Sequence, residues 1–434
     1  MNNIARNSVS KDGDATELHT TDIAIVGGGM VGLTLALLLG KRLSKLTSQS
    51  TKDKSKPLSI TVLDNFTLPA HNQPSFTSSF DARSTAIAVS SCAILNDADV
   101  WQTLAQHVTP ITRVHVSDRG HFAGGLMTAA EYQLSALGYV VENAWLGNVL
   151  AARINRRADI ACKMPATVNK VRANRDGYLL EIVCDNKIEQ LQTALLVLAD
   201  GADSKLRRQL GIEVNQQSYN QSAVIANVQC ERAHGGVAYE RFTAAGPVAM
   251  LPLGESVQNR TCALVWTHPS EQADAVMSWD DQHFLTELQR SFGFRLGRLQ
   301  RVSRRFCYPL QLQVATEQVR RGLVIVGNAA HFLHPVAGQG FNLALRDCAQ
   351  LVTALADSLS HGKELGDAKV LESYLSSQQR DQWTTIQLSD RLVQLFSNNH
   401  FSSSILRQLG LLAIDAVPPA KQLFARQAMG YSVG

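Results

Sequence analysis

Apolar positions fall along this chain in two rhythms, and its elements are marked where one rhythm gives way to the other. Asp22-Ile23-Ala24-Ile25-Val26 is a short β-branched run that ends in Gly27-Gly28-Gly29-Met30-Val31-Gly32 and passes into a Leu/Ala run. That is the order strand, glycine turn, helix. Ser59 to Leu63 predicts the next strand, and the polar, Lys- and Ser-rich stretch from Ser44 to Pro57 predicts a surface loop. Asp81 or Ser84 predicts the cap of a helix continuing through Ile94, with Arg83 in its first turn. From Ile111 to Val141 the rhythm shortens. Val114-His115-Val116 and Tyr139-Val140-Val141, set among Gly120, Gly124, Gly125 and Gly138, predict strands of a different sheet.

Trp145 to Ala158 predicts a helix, and Ala166 to Arg172, Tyr178 to Cys184 and Ala194 to Leu198 predict three strands. Ala223 to Val228, Gly236 to Phe242, Val248 to Leu251 and Thr261 to Trp266 are short strands separated by turn residues, the spacing of an antiparallel sheet. A helix over Phe284 to Phe292 and a basic run from Arg295 to Arg305 follow. Such a run reads as a solvated face, or as a contact with a nicotinamide cofactor's phosphate or an acidic partner. Gly322 to Val326 predicts a strand. The helix after it carries Phe341, Leu345, Cys348, Val352, Leu355 and Leu359 at spacings of three or four. Residues beyond Leu371 are helical and amphipathic, with Leu406 to Ile414 before a Pro418-Pro419 break. A tail of this kind packs on its own protein or on a sister subunit in an oligomer. A membrane-surface or lipid-carrier contact is the lesser reading.

At 434 residues the chain suggests two domains, or one with a large insertion. The net charge of +4 is dispersed, which argues against nucleic acid. The first twenty residues are polar and lack the apolar core of a secretory signal, and no run reaches the roughly 18 apolar residues of a membrane span. The expectation is a cytoplasmic protein, with peripheral membrane contact the variant of it. Seven scattered cysteines without CxxC spacing predict reduced thiols. His331 and His334 share the spacing of one helix face, but Pro335 follows and no acidic or cysteine partner is near in sequence, so a metal site is the minor reading.

The strand ends carry the candidate chemistry. Gly27 allows a sharp turn, Gly29 lets the backbone approach a pyrophosphate, and Gly32 lets the helix pack closely, with the helix N-terminal N–H groups facing the anion. Asp64 ends the next strand, where a carboxylate accepts hydrogen bonds from a ribose. It lies beyond the usual spacing of roughly 20 residues, and the Ser44 to Pro57 insertion accounts for the excess. Arg83 meets a phosphate or carboxylate, or is a solvated surface residue. Ala199-Asp200-Gly201 places a carboxylate and free backbone at a sheet edge, and Gly327-Asn328 does the same after a later strand. Gly338 and Gly340 open a helix whose N-terminus offers a partial positive charge to an anion. Three strand-end sites are what an extended dinucleotide needs.

GGGMVG with Asp64, the Asp81-Ala82-Arg83 triplet, Ala199-Asp200-Gly201 and GNAAHFLHPVAGQGFN resemble the FAD-binding elements of the aromatic-ring flavoprotein monooxygenases, the class of p-hydroxybenzoate hydroxylase. VHVSDRGH, AVIANV and the ERFT…GPVAMLP stretch resemble its ubiquinone-biosynthesis branch, in particular the hydroxylase acting on 2-octaprenyl-6-methoxyphenol. The resemblance implies an α/β fold: a Rossmann-like FAD-binding domain of the glutathione-reductase type, an inserted antiparallel-sheet substrate domain and a C-terminal helical region. In this chain it implies a tail over 1–20 and an FAD-binding domain from 21–110, 142–211 and 309–370. The substrate domain takes 111–141 and 212–308, and the helical region 371–434.

It further implies FAD as cofactor and NAD(P)H as electron donor, with Gly27, Gly29, Gly32 and Arg83 at the pyrophosphate and Asp64 at the ribose. Asp200 and Gly201 close the groove, and Gly327 and Asn328 meet the ribityl chain. The wider class has Asp where this chain has Asn328; an amide still bonds a ribityl hydroxyl, without charge. Gly338, Gly340 and Asn342 would sit near the flavin's pyrimidine edge, where the helix dipole favours the anionic reduced flavin. Pro335 lies in the flavin-facing loop, its carbonyl a candidate to position oxygen. The implied activity is hydroxylation of a 2-polyprenyl-6-methoxyphenol para to its hydroxyl, through a flavin C4a-hydroperoxide, within a ubiquinone-making assembly. The alternatives are a sibling hydroxylase acting on another ring position, a flavin reductase, or a non-catalytic assembly subunit.

Overall fold

The computed structural model describes residues 17–49, 58–77, 79–118, 124–243, 245–333, 338–397 and 429–430. Five strands run parallel in one sheet, in the order Leu323–Ile325, Lys187–Leu198, Leu18–Val26, Ile60–Leu63 and Ile160–Lys163. Their near-continuous apolar runs follow from burial on both faces. Alternate side chains enter two cores: Ile23, Ile25, Leu195 and Val197 face one, while Ala24, Val26, Leu196 and Leu198 face the other. The first core is capped by the helices Met30–Gln49 and Gln339–Ser360, the latter burying Leu345, Cys348 and Leu355 as its spacing predicts.

A nine-stranded sheet stands beside it, in the order His331–Phe332, Phe306–Ala315, Val214–Cys230, Thr261–Pro269, Gly246–Leu253, Val237–Thr243, Arg113–Asp118 and Gly124–Thr128, with Leu299–Val302 added on Val214–Cys230. It is antiparallel except where Val237–Thr243 meets Arg113–Asp118. One face packs Val224, Val248, Met250 and Trp266 against Val276, Phe284, Leu288 and Phe292 of the helices Ser270–Ser278 and Asp281–Phe292. The other face, with Ala238, Leu251 and Ala263, turns towards a three-stranded sheet of Ser84–Ala88, Gly138–Glu142 and Thr109–Ile111. All seven cysteines are free.

Several boundaries move. The helix expected from the Asp81 or Ser84 cap begins only at Val89, because Ser84–Ala88 is a strand paired antiparallel with Gly138–Glu142. β-branched Thr85 and Ile87 suit that strand, and Arg83 precedes it, so no helix dipole acts on the guanidinium. The glycine-turn helix continues through Ser44 to Gln49, where no Gly or Pro stops it; residues 50–57 of the expected loop lie outside the described residues. The first strand takes Leu18 to Thr20 out of the expected tail, pairing Leu18 with Gln190. Phe306–Ala315 and His331–Phe332 lengthen the nine-stranded sheet, although 309–370 was expected to serve the nucleotide fold alone. Helix Ser270–Ser278, with only Ala273 and Val276 buried, has too weak a periodicity to be seen in sequence.

Helix Ala368–Ser397 packs on Gln339–Ser360, so this part of the amphipathic tail does cover its own protein. Arg346 Nε donates to Asp381 Oδ2 at 2.6 Å. Buried Asp347 receives Gln382 Nε2 on Oδ1 at 3.1 Å and holds His331 Nε2 on Oδ2 at 2.6 Å. Leu406 to Ile414 and the Pro418-Pro419 break lie outside the described residues. Replacing Gln382 by Met should leave one buried Asp347 oxygen and the Gln318 amide short of partners. A destabilisation of about 2 kcal/mol, read by denaturant titration, is expected.

Candidate active site

Backbone register builds the site. Val26 is paired with Leu63 and Leu198, and Leu198 with Ile325, so four strands end level. The exits are tied to one another: Gly27 N–H donates to Leu63 O at 2.8 Å, Ala199 N–H to Val26 O at 2.7 Å and Val326 N–H to Leu198 O at 2.9 Å. Gly27, Asp64, Asp200 and Gly327 therefore emerge along one edge, where open α/β sheets bind ligands.

The three fingerprint glycines have separable roles. Gly27 has φ +112°, and a Cβ on it would lie 2.3 Å from Ala199 O; a Cβ on Gly32 would lie 1.8 Å from Gly27 O. Neither site has room for a side chain. A Cβ on Gly29 would meet nothing within 4 Å, so that position is bare towards open space, as an approaching anion requires. Asp64 accepts from Gly28 N–H and from Asn65 N–H, each at 2.6 Å. Asp200 Oδ2 accepts from Ser204 Oγ at 2.7 Å, while Oδ1 is buried with no partner among the described residues. Burial pushes this carboxyl above the usual range, although the Ser204 hydroxyl pulls the other way.

Arg207 had no role in the sequence reading, yet it locks two of these turns together. Its buried guanidinium donates to Ala329 O at 2.5 Å and Ala202 O at 2.8 Å. Arg83 is exposed and donates to Tyr308 OH at 2.9 Å. In the basic run, Arg301 stacks on Phe80 at 4.6 Å and Arg304 on Phe306 at 5.3 Å, so part of its charge lies over the protein's own rings.

Gly29, Gly201, Asn328, Gly338 and Gly340 border one groove of about 390 Å³. Asn342 is buried, and its amide is committed to backbone: Oδ1 accepts from Ala88 N–H at 2.8 Å, and Nδ2 donates to Ala86 O at 3.0 Å and Gly338 O at 2.8 Å. It binds the strand Ser84–Ala88 to the start of helix Gln339–Ser360. Pro335 and His334 lie outside the described residues. His331 is held by Asp347, and among the described residues no cluster of ligands could hold a metal ion.

A second cavity opens from the first, sharing Ala86, Leu251, Val265 and Gly338 with it. Its walls are apolar, among them Ile111, Val114, Val116, Met127, Leu137 and Met429, whose carbonyl accepts from Ser90 N–H at 3.2 Å. Its free volume, about 130 Å³, is near that of a cavity that takes one benzene ring. Glu240 also borders it, and burial pushes that carboxyl up to about 7. The sequence offered a signal for this residue that went unused: Glu240 stands between Ala238 and Phe242, two inward positions of one strand.

A family model described as an FAD binding domain matches residues 20–389. The chain is 34% identical to the ubiquinone hydroxylase UbiL of Rhodospirillum rubrum, over 94% of this chain and 89% of that protein. It is 31% identical to the 3-demethoxyubiquinol 3-hydroxylase of Escherichia coli, over 95% and 98%. Its fold matches the crystal structure of p-nitrophenol 4-monooxygenase PnpA from Pseudomonas putida with a TM-score of 0.73, at 15% identity and 95% and 98% coverage. The chain belongs to the ubiquinone-biosynthesis branch of the FAD-dependent monooxygenases.

This monooxygenase uses FAD. The residues present fit that group. Gly29 leaves room for a pyrophosphate, Asp200 keeps a buried acceptor unused, and the groove runs from the glycine turn to the helix N-terminus at Gly338. Gly29→Val should purify as a folded protein lacking flavin, since its side chain meets only the groove. Gly32→Ala should instead lower the melting temperature, because its methyl collides with Gly27 O. Absorbance of bound flavin and thermal melts of both variants test this pairing.

Proposed function

We propose that this protein hydroxylates the ring of a 2-polyprenyl-6-methoxyphenol para to its hydroxyl, as a step of ubiquinone biosynthesis. The observation that supports this most is the ring-sized apolar cavity sharing its wall with the flavin groove. FAD, once reduced by NAD(P)H and met by O₂, supplies an electrophilic oxygen atom. The chain's residues supply place and dryness. Ile111, Val114 and Leu137 exclude water from the ring, and Asn342 fixes the wall at Ala86 against the helix start at Gly338. The N-terminus of helix Gln339–Ser360 favours negative charge at that boundary.

The cavity takes a ring and not a polyprenyl tail, so the tail leaves through its mouth. Delivery of the tail from a membrane surface, or from a partner in a ubiquinone-making assembly, belongs to the same proposal. A second position on the ring is favoured by one observation: the 3-demethoxyubiquinol 3-hydroxylase of Escherichia coli matches nearly end to end.

Flavin-loaded protein given NAD(P)H, O₂ and short-chain analogues of 2-prenylphenol, 2-prenyl-6-methoxyphenol and demethoxyubiquinol decides between them by mass spectrometry. Oxygen gained by the methoxyphenol para to its hydroxyl is the expected product. Hydroxylation of the demethoxyubiquinol alone transfers the assignment to the second position, and peroxide without product from any analogue rejects both.

A further inference from the structure

The ring cavity is bordered by two ionisable residues, Tyr239 and Glu240. Tyr239 belongs to the other face of its strand, where its ring meets Phe292 edge-on at 5.6 Å. Glu240 lies on the cavity face, between Ala238 and Phe242 and opposite Val116 in the parallel ladder. Resting on the ring-hydroxylation reading above, we propose that the Glu240 carboxylate receives the hydroxyl proton of the phenol and is the general base of the reaction.

The surroundings make Glu240 distinctive. The strands Gly246–Leu253 and Thr261–Pro269 bring Ala249, Leu251 and Val265 to the cavity, and helix Gln339–Ser360 brings the uncharged Gln339 and Asn342. The parallel ladder places one other acidic residue on this face, Asp118, opposite Phe242. Arg113, His115 and Arg241 alternate to the far face, where Arg241 Nη1 donates to Phe292 O at 2.6 Å. Among the described residues of these paired strands, no cationic side chain alternates to the carboxylate's own face, and its raised titration follows from burial. A carboxyl that titrates near neutrality suits a base working at that pH.

The transfer balances. As the ring carbon para to the hydroxyl takes an electrophilic oxygen atom, the electron pair of the phenol O–H bond flows into the ring and the proton passes to Glu240. The ring then loses its own hydrogen from the attacked carbon as a proton, the oxygen that gave its proton to Glu240 takes one up, and aromaticity is regained. Overall, ring C–H, O₂, NAD(P)H and one proton give ring C–OH, NAD(P)⁺ and water. Glu240 returns its proton to solvent.

Glu240→Gln keeps the shape of the side chain and removes the base. Three readouts test it in FAD-loaded protein: dissociation constants of 2-prenyl-6-methoxyphenol and of its O-methyl ether, by quenching of flavin fluorescence; hydroxylated product from pH 5.5 to 9; and melting temperature from pH 5 to 8. The wild-type chain should bind the phenol at least tenfold more tightly than the ether, and the variant should bind the two alike. Product should fall about 100-fold in the variant with flavin content retained. The wild-type rate should decline as pH falls through about 7 and Glu240 takes up a proton, a limb the variant lacks.

Because burial raises the folded-state titration, the ionised carboxyl weakens folding progressively as pH rises from its unfolded value towards about 7. The variant should therefore melt higher than wild type at pH 8 and alike at pH 5. A variant that hydroxylates at the wild-type rate with the wild-type pH profile overturns the base, as does wild-type protein that binds the ether as tightly as the phenol. Glu240-dependent phenol preference in a wild-type protein that hydroxylates none of the analogues instead overturns the reaction class, and the base assignment with it.

Discussion

Everything in the nucleotide site depends on the backbone pairing that holds Val26, Leu63, Leu198 and Ile325 level. A shift of one residue in any of these strands would exchange the two cores, sending Ile23 and Ile25 to the face that Ala24 and Val26 occupy. Hydrophobic burial therefore enforces the register, and the register places three loops at one edge. The glycine turn, the Asp200 loop and the Gly327 turn need no affinity for each other beyond this. Arg207 adds a brace, with its charge spread over carbonyls of two of the loops.

The ring cavity rests on a different constraint. Its wall is built where the three-stranded sheet, the nine-stranded sheet and the start of helix Gln339–Ser360 come close, and its lining sets larger apolar side chains such as Ile111, Val116 and Leu137 beside small ones such as Ala86, Ala238 and Ala249. Ala86, Leu251, Val265 and Gly338 border the flavin groove and the ring cavity alike. Asn342 stabilises that boundary by giving up every polar atom of its side chain to backbone partners, which in a buried position is the arrangement with the lowest desolvation cost.

Much of this was legible in the chain. Strand–turn–helix order, small residues at the turn and a carboxylate at the next strand end are local patterns, and the parallel strands announce themselves by unbroken apolar runs. Two kinds of feature were not legible. Ser84–Ala88 forms a strand because Gly138–Glu142, over fifty residues away, offers its backbone, and a cap-like Asp81 or Ser84 carries no trace of that partner. Asn342, expected at a ligand, is consumed by contacts that only the meeting of helix and strand creates. Glu240 and Arg207 were hidden for the same reason: a charged residue looks solvated until the fold shows what surrounds it.

The two large sheets are interleaved along the chain. Strands of the nine-stranded sheet come from Arg113–Thr128, from Val214–Ala315 and from His331–Phe332, while Ile160–Leu198 and Leu323–Ile325 return to the parallel sheet between them. No single cut yields one fragment that holds the whole cofactor edge and another that holds the whole ring cavity. Contacts of such long sequence separation form late and slowly in folding, so this protein gains its two sites together or not at all. Its chemistry could be divided between separate polypeptides only if the fragments reassembled strand by strand.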